Sequence, residues 1–271
     1  MTQSTRAHVA RKRFGQHFLV DQEILRRIVS ALALQPDDQV VEIGPGLAAL
    51  TEVLLRGVER LQAVELDRDL VARLRHRFAP DRLIVHQADA LTFDFLSLLP
   101  DAARKLRIVG NLPYNVASPL LVRLIAIAER VRDQHFMLQK EVVDRLVAGP
   151  GVPAYGRLGI LLQSRYEIEW LFDVGPQAFD PPPRVDSAVF RMRPLLVSRV
   201  RSLPALEGLL AAGFAQRRKM LRTTLLPWLA ARSVSAPELM GTERAEELPQ
   251  ALWYQLADRL AQAAGGPSVL G

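Results

Sequence analysis

Four adjacent residues, Asn111-Leu112-Pro113-Tyr114, have the chemistry needed to hold a planar base that carries an amino group. They follow the apolar run 106–110, which predicts a buried strand that ends in a glycine. The side-chain oxygen of Asn111 and the backbone carbonyl of Leu112 or Pro113 can accept the two amine hydrogens, while the ring of Tyr114 can stack on the base. Asn and Pro also favour turns for local reasons, so an ordinary turn remains an alternative for the tetrapeptide taken alone.

A second group of candidate residues lies at the ends of three predicted strands and combines acids with glycines. Glycines between a strand and a helix let the backbone turn tightly and approach a ligand closely. Glu65 can accept both hydroxyls of a ribose, and Asp89 can accept from the amino group of an adenine. The pattern predicts a pocket for an adenosine-containing cofactor, formed by Glu42, Gly44, Gly46, Glu65, Asp89 and Ala90.

Two cofactor classes fit the spacing of this glycine loop. Residues 44–49 satisfy the Gly-x-Gly-x-x-Ala fingerprint of dinucleotide-binding dehydrogenases. Glu42 disfavours that interpretation, because a carboxylate there would repel a diphosphate but attract a cationic sulfonium. The tetrapeptide at 111–114 also has no role in hydride transfer. S-adenosylmethionine is therefore the predicted cofactor, and a nicotinamide dehydrogenase is the alternative that a comparison of S-adenosylmethionine and NAD binding would test.

The elements that must position these residues alternate between strands and helices. Apolar strands separated by crossover-length segments predict a parallel sheet covered by helices on both faces. Predicted strands span 40–43, 61–64, 83–86, 106–109 and 135–138, and predicted helices span 22–34 after the N-cap Asp21, 47–55, 69–78 and 119–130. Two further strands, 166–174 and 187–192, are joined by a proline-rich turn and are expected to pair antiparallel at the sheet edge.

The C-terminal part of the chain has a purely helical pattern, with predicted helices at 203–214, 217–230 and 249–264. This change predicts an α/β domain of residues 1–196 and a small all-α domain of residues 197–271. The predicted fold class is α/β and Rossmann-like. Its seven predicted strands form a mostly parallel sheet with an antiparallel edge strand.

Composition narrows the class of protein. The chain has 271 residues, 49% of them hydrophobic, which is enough for two domains with a substantial core. It has no cysteine, which excludes disulfides and thiolate metal sites, and we predict no metal centre. No apolar stretch is long enough to span a membrane and the N-terminus does not resemble a signal peptide, so we expect a cytoplasmic protein without a membrane partner. The net charge of +6 suits a polyanionic partner, although solvated arginines are also common.

These motifs together resemble the ribosomal RNA small-subunit adenine dimethyltransferases. The resemblance covers nearly the whole chain, and its proline-rich and tail motifs are far more specific than the glycine loop. The matching stretches are RFGQHFL at 13–19, VEIGPGL at 41–47, VELD at 64–67, GNLPYN at 110–115, QKEV at 139–142, FDPPPRVDSAV at 179–189 and FAQRRKMLR at 214–222.

The resemblance implies a class I methyltransferase domain followed by a small helical domain. The family transfers methyl groups from S-adenosylmethionine to N6 of two adjacent adenosines in the 3′-terminal hairpin loop of 16S rRNA, within the 30S subunit, and this implies a role in ribosome biogenesis. It also implies that His17 and Leu19 contact the cofactor through backbone atoms, and that Asn111 adjoins the cofactor. Phe179, held by the prolines that follow it, would stack on the second face of the base. Ala48 stands where the family usually has glycine, and it is expected to keep ordinary backbone dihedrals.

The tail motif contains the candidate RNA-binding residues Arg217, Arg218, Lys219 and Arg222. Arg218 and Arg222 are four residues apart in a predicted helix, so they would share one face and bind phosphate there. A solvated basic face is the alternative. The basic N-terminal arm, with Arg6 and residues 11–13, is expected to order when RNA or cofactor binds.

Two other functions remain open. Related enzymes that act on large-subunit 23S rRNA and confer macrolide resistance have a similar tetrapeptide but not this tail motif. A ribosome assembly factor whose main role is binding is a rival of another class. Loss of methyl transfer with retained subunit binding in Asn111→Ala would show that the two roles are distinct. We expect the protein to act as a monomer.

Overall fold

The computed structural model of the protein describes residues 17–265, apart from the side chains of Tyr114 and Asn115. The strands are β1 (Phe18–Leu19), β2 (Gln39–Ile43), β3 (Leu61–Glu65), β4 (Leu83–Gln87), β5 (Leu106–Asn111), β6 (Val131–Gln139), β7 (Tyr166–Val174), β8 (Phe179–Asp180) and β9 (Ser187–Pro194). The α-helices are α1 (Gln22–Leu32), α2 (Ala49–Leu54), α3 (Arg68–Arg77), α4 (Tyr114–Leu124), α5 (Lys140–Val147), α6 (Arg157–Gln163), α7 (Leu203–Gly213), α8 (Leu221–Ala230) and α9 (Gln250–Ala263). Short 3₁₀ helices span Phe95–Leu98, Ile125–Arg130, Pro176–Ala178 and Ala245–Glu247.

Seven strands form one sheet in the order β4-β3-β2-β5-β6-β9-β7. The pairs β2·β3, β2·β5, β3·β4 and β5·β6 are all parallel. Strand β2 has β3 on one side and β5 on the other, so the chain reverses its direction of progress across the sheet at β2. Ligands of open α/β sheets bind beside such a reversal, at the carboxyl ends of the strands. The observed sheet confirms the predicted Rossmann-like fold class.

Helix α1 begins where its sequence predicts. The Asp21 side chain accepts hydrogen bonds from the backbone amides of Glu23 at 2.8 Å and Ile24 at 3.1 Å, which satisfies two donors of the first turn. The helix buries Leu25, Ile28 and Leu32 in the same core as β2 and β3. Helix α1 is therefore packed against strands that carry the candidate site.

A small two-stranded sheet, which the sequence did not predict, joins two distant motifs. Strand β1 pairs antiparallel with β8, so that Phe18 lies opposite Asp180 and Leu19 opposite Phe179. The amide of Val20 extends the pairing by donating to the carbonyl of Ala178 at 2.9 Å. The pairing brings the segment before α1 beside the proline-rich segment that precedes β9.

Two helices begin four or more residues from their predicted start. Helix α4 starts at Tyr114 rather than Pro119, because the Pro113 carbonyl already accepts from the amides of Val116 and Ala117 and so forms the first turn. Helix α8 starts at Leu221 rather than residue 217, since residues 214–219 form turns.

The chain forms two compact units. The described residues up to Leu120, with Arg130–Lys140 and Leu171–Arg191, form the first unit. Leu121–Glu129, Glu141–Trp170 and the described residues from Met192 onward form the second. The boundary between residues 196 and 197 stays a prediction. No helix within residues 17–265 is long and apolar enough to cross a membrane.

Inside the second unit, aromatic side chains fill the core between α6, α7 and α9. The rings of Phe214 and Trp253 stack with centroids 5.5 Å apart. The buried hydroxyl of Tyr155 donates to the carbonyl of Leu248 at 2.9 Å, and that of Tyr254 donates to the carbonyl of Ile160 at 3.0 Å. These bonds satisfy phenol groups that would otherwise be costly to bury.

Candidate active site

A cavity of about 600 Å³ opens at the carboxyl ends of β2 to β5, within the first unit. Its volume is in the range of sites that enclose small ligands. All the residues predicted from the sequence to bind the cofactor line this cavity. So do all the predicted catalytic residues except Tyr114. The nominated lining residues are His17, Leu19, Glu42, Gly44, Gly46, Glu65, Asp89, Ala90, Asn111, Leu112, Pro113 and Phe179. The side chain of Tyr114 and the basic arm before His17 lie outside the described residues.

The glycine loop between β2 and α2 adopts left-handed backbone conformations at three positions. Gly44 has φ +68° and Gly46 has φ +56°, and a Cβ on Gly46 would lie 3.1 Å from the ring of Phe18. Ala48 also has a positive φ, of 73°, so the expectation of ordinary dihedrals at this alanine was wrong. The tight turn requires the conformation, and the alanine adopts it although an L side chain disfavours it.

Glu65 connects the end of β3 to the glycine loop. Its Oε2 accepts from the amide of Gly46 at 3.3 Å, and its Oε1 accepts from the amide of Asp67 at 2.9 Å. Burial raises the pKa of Glu65, while the backbone hydrogen bonds from Asp67 and Gly46 oppose that rise. The carboxylate therefore lies at a fixed place on the cavity wall, where hydroxyl donors of a ligand can approach it.

Glu42 is the most deeply buried acid of the cavity, with 2% of its surface exposed. The Thr51 hydroxyl on α2 donates to its Oε2 at 2.6 Å. Burial raises the pKa of Glu42 to about 8 against the opposing effect of the Thr51 bond, and the charge of Glu65 raises it further. Glu42 is therefore mostly neutral at pH 7 in the protein without ligand, and a cation in the cavity would favour its ionised form.

Asp89 is held by the loop that follows β4. Its Oδ1 accepts from the amide of Leu91 at 2.8 Å, and its backbone carbonyl accepts from the amides of Thr92 and Phe93. No hydrogen bond found within residues 17–265 uses Oδ2 of Asp89. One carboxylate oxygen thus fixes the loop while the other can accept from a ligand.

The Asn111 side chain is oriented by the segment that leads into β1. Its Nδ2 donates to the backbone carbonyl of His17 at 3.3 Å, which leaves Oδ1 as an acceptor for a ligand. The backbone carbonyls of Leu112 and Pro113 differ in the hydrogen bonds that they accept. That of Pro113 accepts from two helical amides, of Val116 at 3.1 Å and Ala117 at 3.2 Å, so both of its lone pairs are used.

The carbonyl of Leu112, unlike that of Pro113, does not accept a hydrogen bond from the described part of α4. Among the described residues, no hydrogen bond ends on it, whereas the amide of Leu112 donates to the carbonyl of Met137 at 3.2 Å. Two backbone carbonyls, those of Leu112 and Pro113, were predicted to accept from the target amine. Within the described residues, only that of Leu112 is available to a ligand.

One wall of the cavity depends on the pairing of β1 with β8. The Nδ1 of His17 lies 2.8 Å from the carbonyl of Pro181 and donates to it in the corresponding tautomer. Phe179, 5% exposed, belongs to the hydrophobic core and also lines the cavity. Strands of two residues are too short to show periodicity, so the sequence contained no pattern that could predict this wall.

The nominated RNA-binding residues lie in the second unit, and their geometry differs from the prediction. Arg218 is in a turn and Arg222 in the first turn of α8, so the premise that they share a helical face was wrong. Arg217 forms an ion pair with Glu246, with Nε 2.8 Å from Oε2, and also donates to the carbonyl of Pro153. The side chains of Arg218 and Arg222 are exposed and form no ion pair with a described residue.

Comparison with known proteins identifies the family. A family model described as ribosomal RNA adenine dimethylase matches residues 7–262. The chain belongs to this family. Curated relatives named ribosomal RNA small subunit methyltransferase A are similar over nearly their whole length. The protein of Bordetella petrii is 57% identical, covering 96% of this chain and 99% of its own. That of a Janthinobacterium species is 52% identical, covering 93% and 99%.

Solved structures agree with the fold of the adenine dimethylase family. A dimethyladenosine transferase from Plasmodium falciparum has a TM-score of 0.74 at 23% identity, covering 92% of this chain and 98% of its own. A structure described as the 23S rRNA methyltransferase ErmE has a TM-score of 0.66 at 24% identity, covering 90% and 100%. Membership of the adenine dimethylase family makes this chain an enzyme of the methyltransferase class rather than a dehydrogenase.

Proposed function

We propose that this chain transfers methyl groups from S-adenosylmethionine to N6 of two adjacent adenosines in the 3′-terminal hairpin loop of 16S rRNA, within the 30S subunit. The observation that carries the proposal is a pair of acceptors on the wall of an acid-lined cavity, Oδ1 of Asn111 and the carbonyl of Leu112, which accept no hydrogen bond from a described residue. The names of the curated relatives support the choice of small-subunit RNA.

The chemistry of the cavity suits S-adenosylmethionine, which has no phosphate and carries positive charge at sulfur. When bound, this cofactor supplies an electrophilic methyl group. Glu65 accepts from the ribose hydroxyls, Asp89 accepts from the adenine amino group through Oδ2, and Glu42 ionises in response to the positive charge. Gly44 and Gly46 keep side chains away from the cofactor, while His17 and Leu19 contact it through backbone atoms.

Asn111 and Leu112 position and activate the target amine. The lone pair of adenine N6 is delocalised into the ring, so the amine is a weak nucleophile. Hydrogen bonds from its two hydrogens to Oδ1 of Asn111 and the carbonyl of Leu112 favour tetrahedral geometry at nitrogen and fix its direction of approach. Pro113 contributes by fixing the backbone, because its own carbonyl is used by α4.

Aromatic side chains hold the base on its two faces. Phe179 stacks on one face and Tyr114 on the other, and each such stack contributes about 1–3 kcal/mol. The target adenosine must leave its stack to enter this slot, which costs less in a hairpin loop than in a duplex. A loop substrate is therefore consistent with the slot.

RNA binding outside the slot uses basic residues of the tail and the N-terminal arm. Arg218, Lys219 and Arg222 bind rRNA phosphates within a C-terminal domain of residues 197–271, together with Arg217. The protein acts as a cytoplasmic monomer and contributes to 30S biogenesis.

Incubation with labelled S-adenosylmethionine and purified ribosomal subunits tests the proposal. Unmethylated 30S subunits are expected to accept label and 50S subunits are not. Label on 50S subunits alone would favour the 23S rRNA alternative. Binding to 30S subunits without any transfer, by a folded protein that binds the cofactor, would favour an assembly factor.

A further inference from the structure

The rim of the cavity carries one basic side chain, that of Arg184, which has no role in the proposed binding of cofactor or amine. Arg184 is the only lysine or arginine among the described residues that line the cavity. It lies in the loop between β8 and β9, and its side chain is exposed. Within residues 17–265 its guanidinium has no hydrogen bond or ion pair, so all five of its N–H donors are available to a ligand.

The loop that carries Arg184 is fixed on both sides. On one side, the carbonyl of Pro181 accepts from His17. On the other, the carbonyl of Asp186 accepts from the amide of Lys140 at 2.9 Å. Consecutive prolines at 181–183 restrict the backbone between these anchors. The base of the side chain therefore has a defined place at the mouth of the cavity, and less entropy is lost when the guanidinium binds a ligand.

The charge pattern indicates which ligand Arg184 serves. The inner wall carries acids, including Glu42, Glu65 and Asp89, and the proposed cofactor is cationic and contains no phosphate. The only anionic group of this cofactor is its single carboxylate, and an unchanged affinity for S-adenosylmethionine in Arg184→Gln would exclude a pairing of Arg184 with it. The other ligand is RNA, and an adenosine turned into the slot leaves its phosphodiesters at the mouth of the cavity.

We propose that Arg184 binds a phosphate that flanks the target adenosine and thereby positions the base in the slot. A guanidinium can donate two parallel hydrogen bonds to a phosphate, which fixes orientation as well as distance. This inference rests on the proposed function. It adds a substrate-positioning residue that acts on the reacting nucleotide itself, separate from the basic residues of the tail.

Kinetics with unmethylated 30S subunits provide the first test. Because a hydrogen bond to a charged group is worth about 10-fold to 100-fold in binding, Arg184→Gln is expected to lower kcat/KM by that factor. Its affinity for S-adenosylmethionine should stay unchanged. Arg184→Lys keeps the charge and should recover a large part of the loss. Arg56→Gln is the matched control, because Arg56 is also exposed in the first unit but does not line the cavity.

Binding of small nucleotides provides a second test that does not require methyl transfer. With S-adenosylhomocysteine bound, the wild-type protein should bind adenosine 5′-monophosphate or 3′-monophosphate about 10-fold more tightly than adenosine. In Arg184→Gln this preference should disappear, and the 5′ and 3′ compounds together show which phosphate is recognised.

The outcomes separate this inference from the proposed function. Equal kcat/KM for Arg184→Gln and Arg56→Gln, or a phosphate preference that survives in Arg184→Gln, would overturn the role of Arg184 while leaving the enzyme a 16S rRNA methyltransferase. Failure of the wild-type protein to methylate 30S subunits would overturn the proposed function. It would also overturn the role of Arg184 in positioning a target adenosine.

Discussion

Replacement of Glu42 by glutamine should change how the stability of the cofactor-free protein depends on pH. Burial in the folded protein raises the pKa of Glu42 from the ordinary value of 4.5 to about 8. Between these values the folded state binds more protons than the unfolded state, so the free energy of unfolding falls as pH rises. The loss amounts to roughly 3–4 kcal/mol between about pH 5 and pH 8. Glu42→Gln keeps an acceptor for the Thr51 hydroxyl but does not titrate.

Urea unfolding at several pH values measures this effect. The stability of Glu42→Gln relative to wild type is expected to increase by roughly 3–4 kcal/mol from about pH 5 to pH 8. Glu59→Gln removes an exposed carboxylate from the same unit and serves as the control for the loss of one carboxylate. Parallel curves for wild type and Glu42→Gln would refute the assignment of a neutral, buried Glu42.

Three further predictions concern the site and the tail. Asn111→Ala should lower methyl transfer by about 100-fold or more in single-turnover assays, while affinities for cofactor and 30S subunits stay within a few-fold; full activity would exclude its role. Gly46→Ala should lower the unfolding free energy by about 1 kcal/mol more than Gly44→Ala in urea titrations, because only Gly46 has a neighbour within 4 Å in addition to its positive φ; equal losses would show that backbone strain alone acts. Arg218→Ala combined with Arg222→Ala should reduce the slope of log affinity for 30S subunits against log salt by about 1–2, and an unchanged slope would exclude phosphate contacts there.

The sequence predicts the sheet and the cofactor acids well because both depend on local signals. Strands β2 to β5 are short apolar runs, and residues at their carboxyl ends must converge in a parallel sheet. That geometry alone brings Glu65, Asp89 and Asn111 to one cavity.

Other features depend on contacts between distant residues and could not be predicted. The pairing of β1 with β8 joins His17 to Pro181 across 164 positions, and neither strand is long enough to show a pattern. Which carbonyl remains free depends on where α4 begins, and the position of Pro119 suggested a later start. The left-handed conformation of Ala48 is imposed by the turn against the preference of the residue.

The central claim is tested most directly by mass spectrometry of 16S rRNA fragments after reaction of unmethylated 30S subunits with the wild-type protein and labelled S-adenosylmethionine. The proposed function predicts N6,N6-dimethyladenosine at two adjacent positions of the 3′-terminal hairpin loop, and none when Asn111→Ala is used. Absence of this nucleoside from the loop, with a folded protein that binds the cofactor, would contradict the claim.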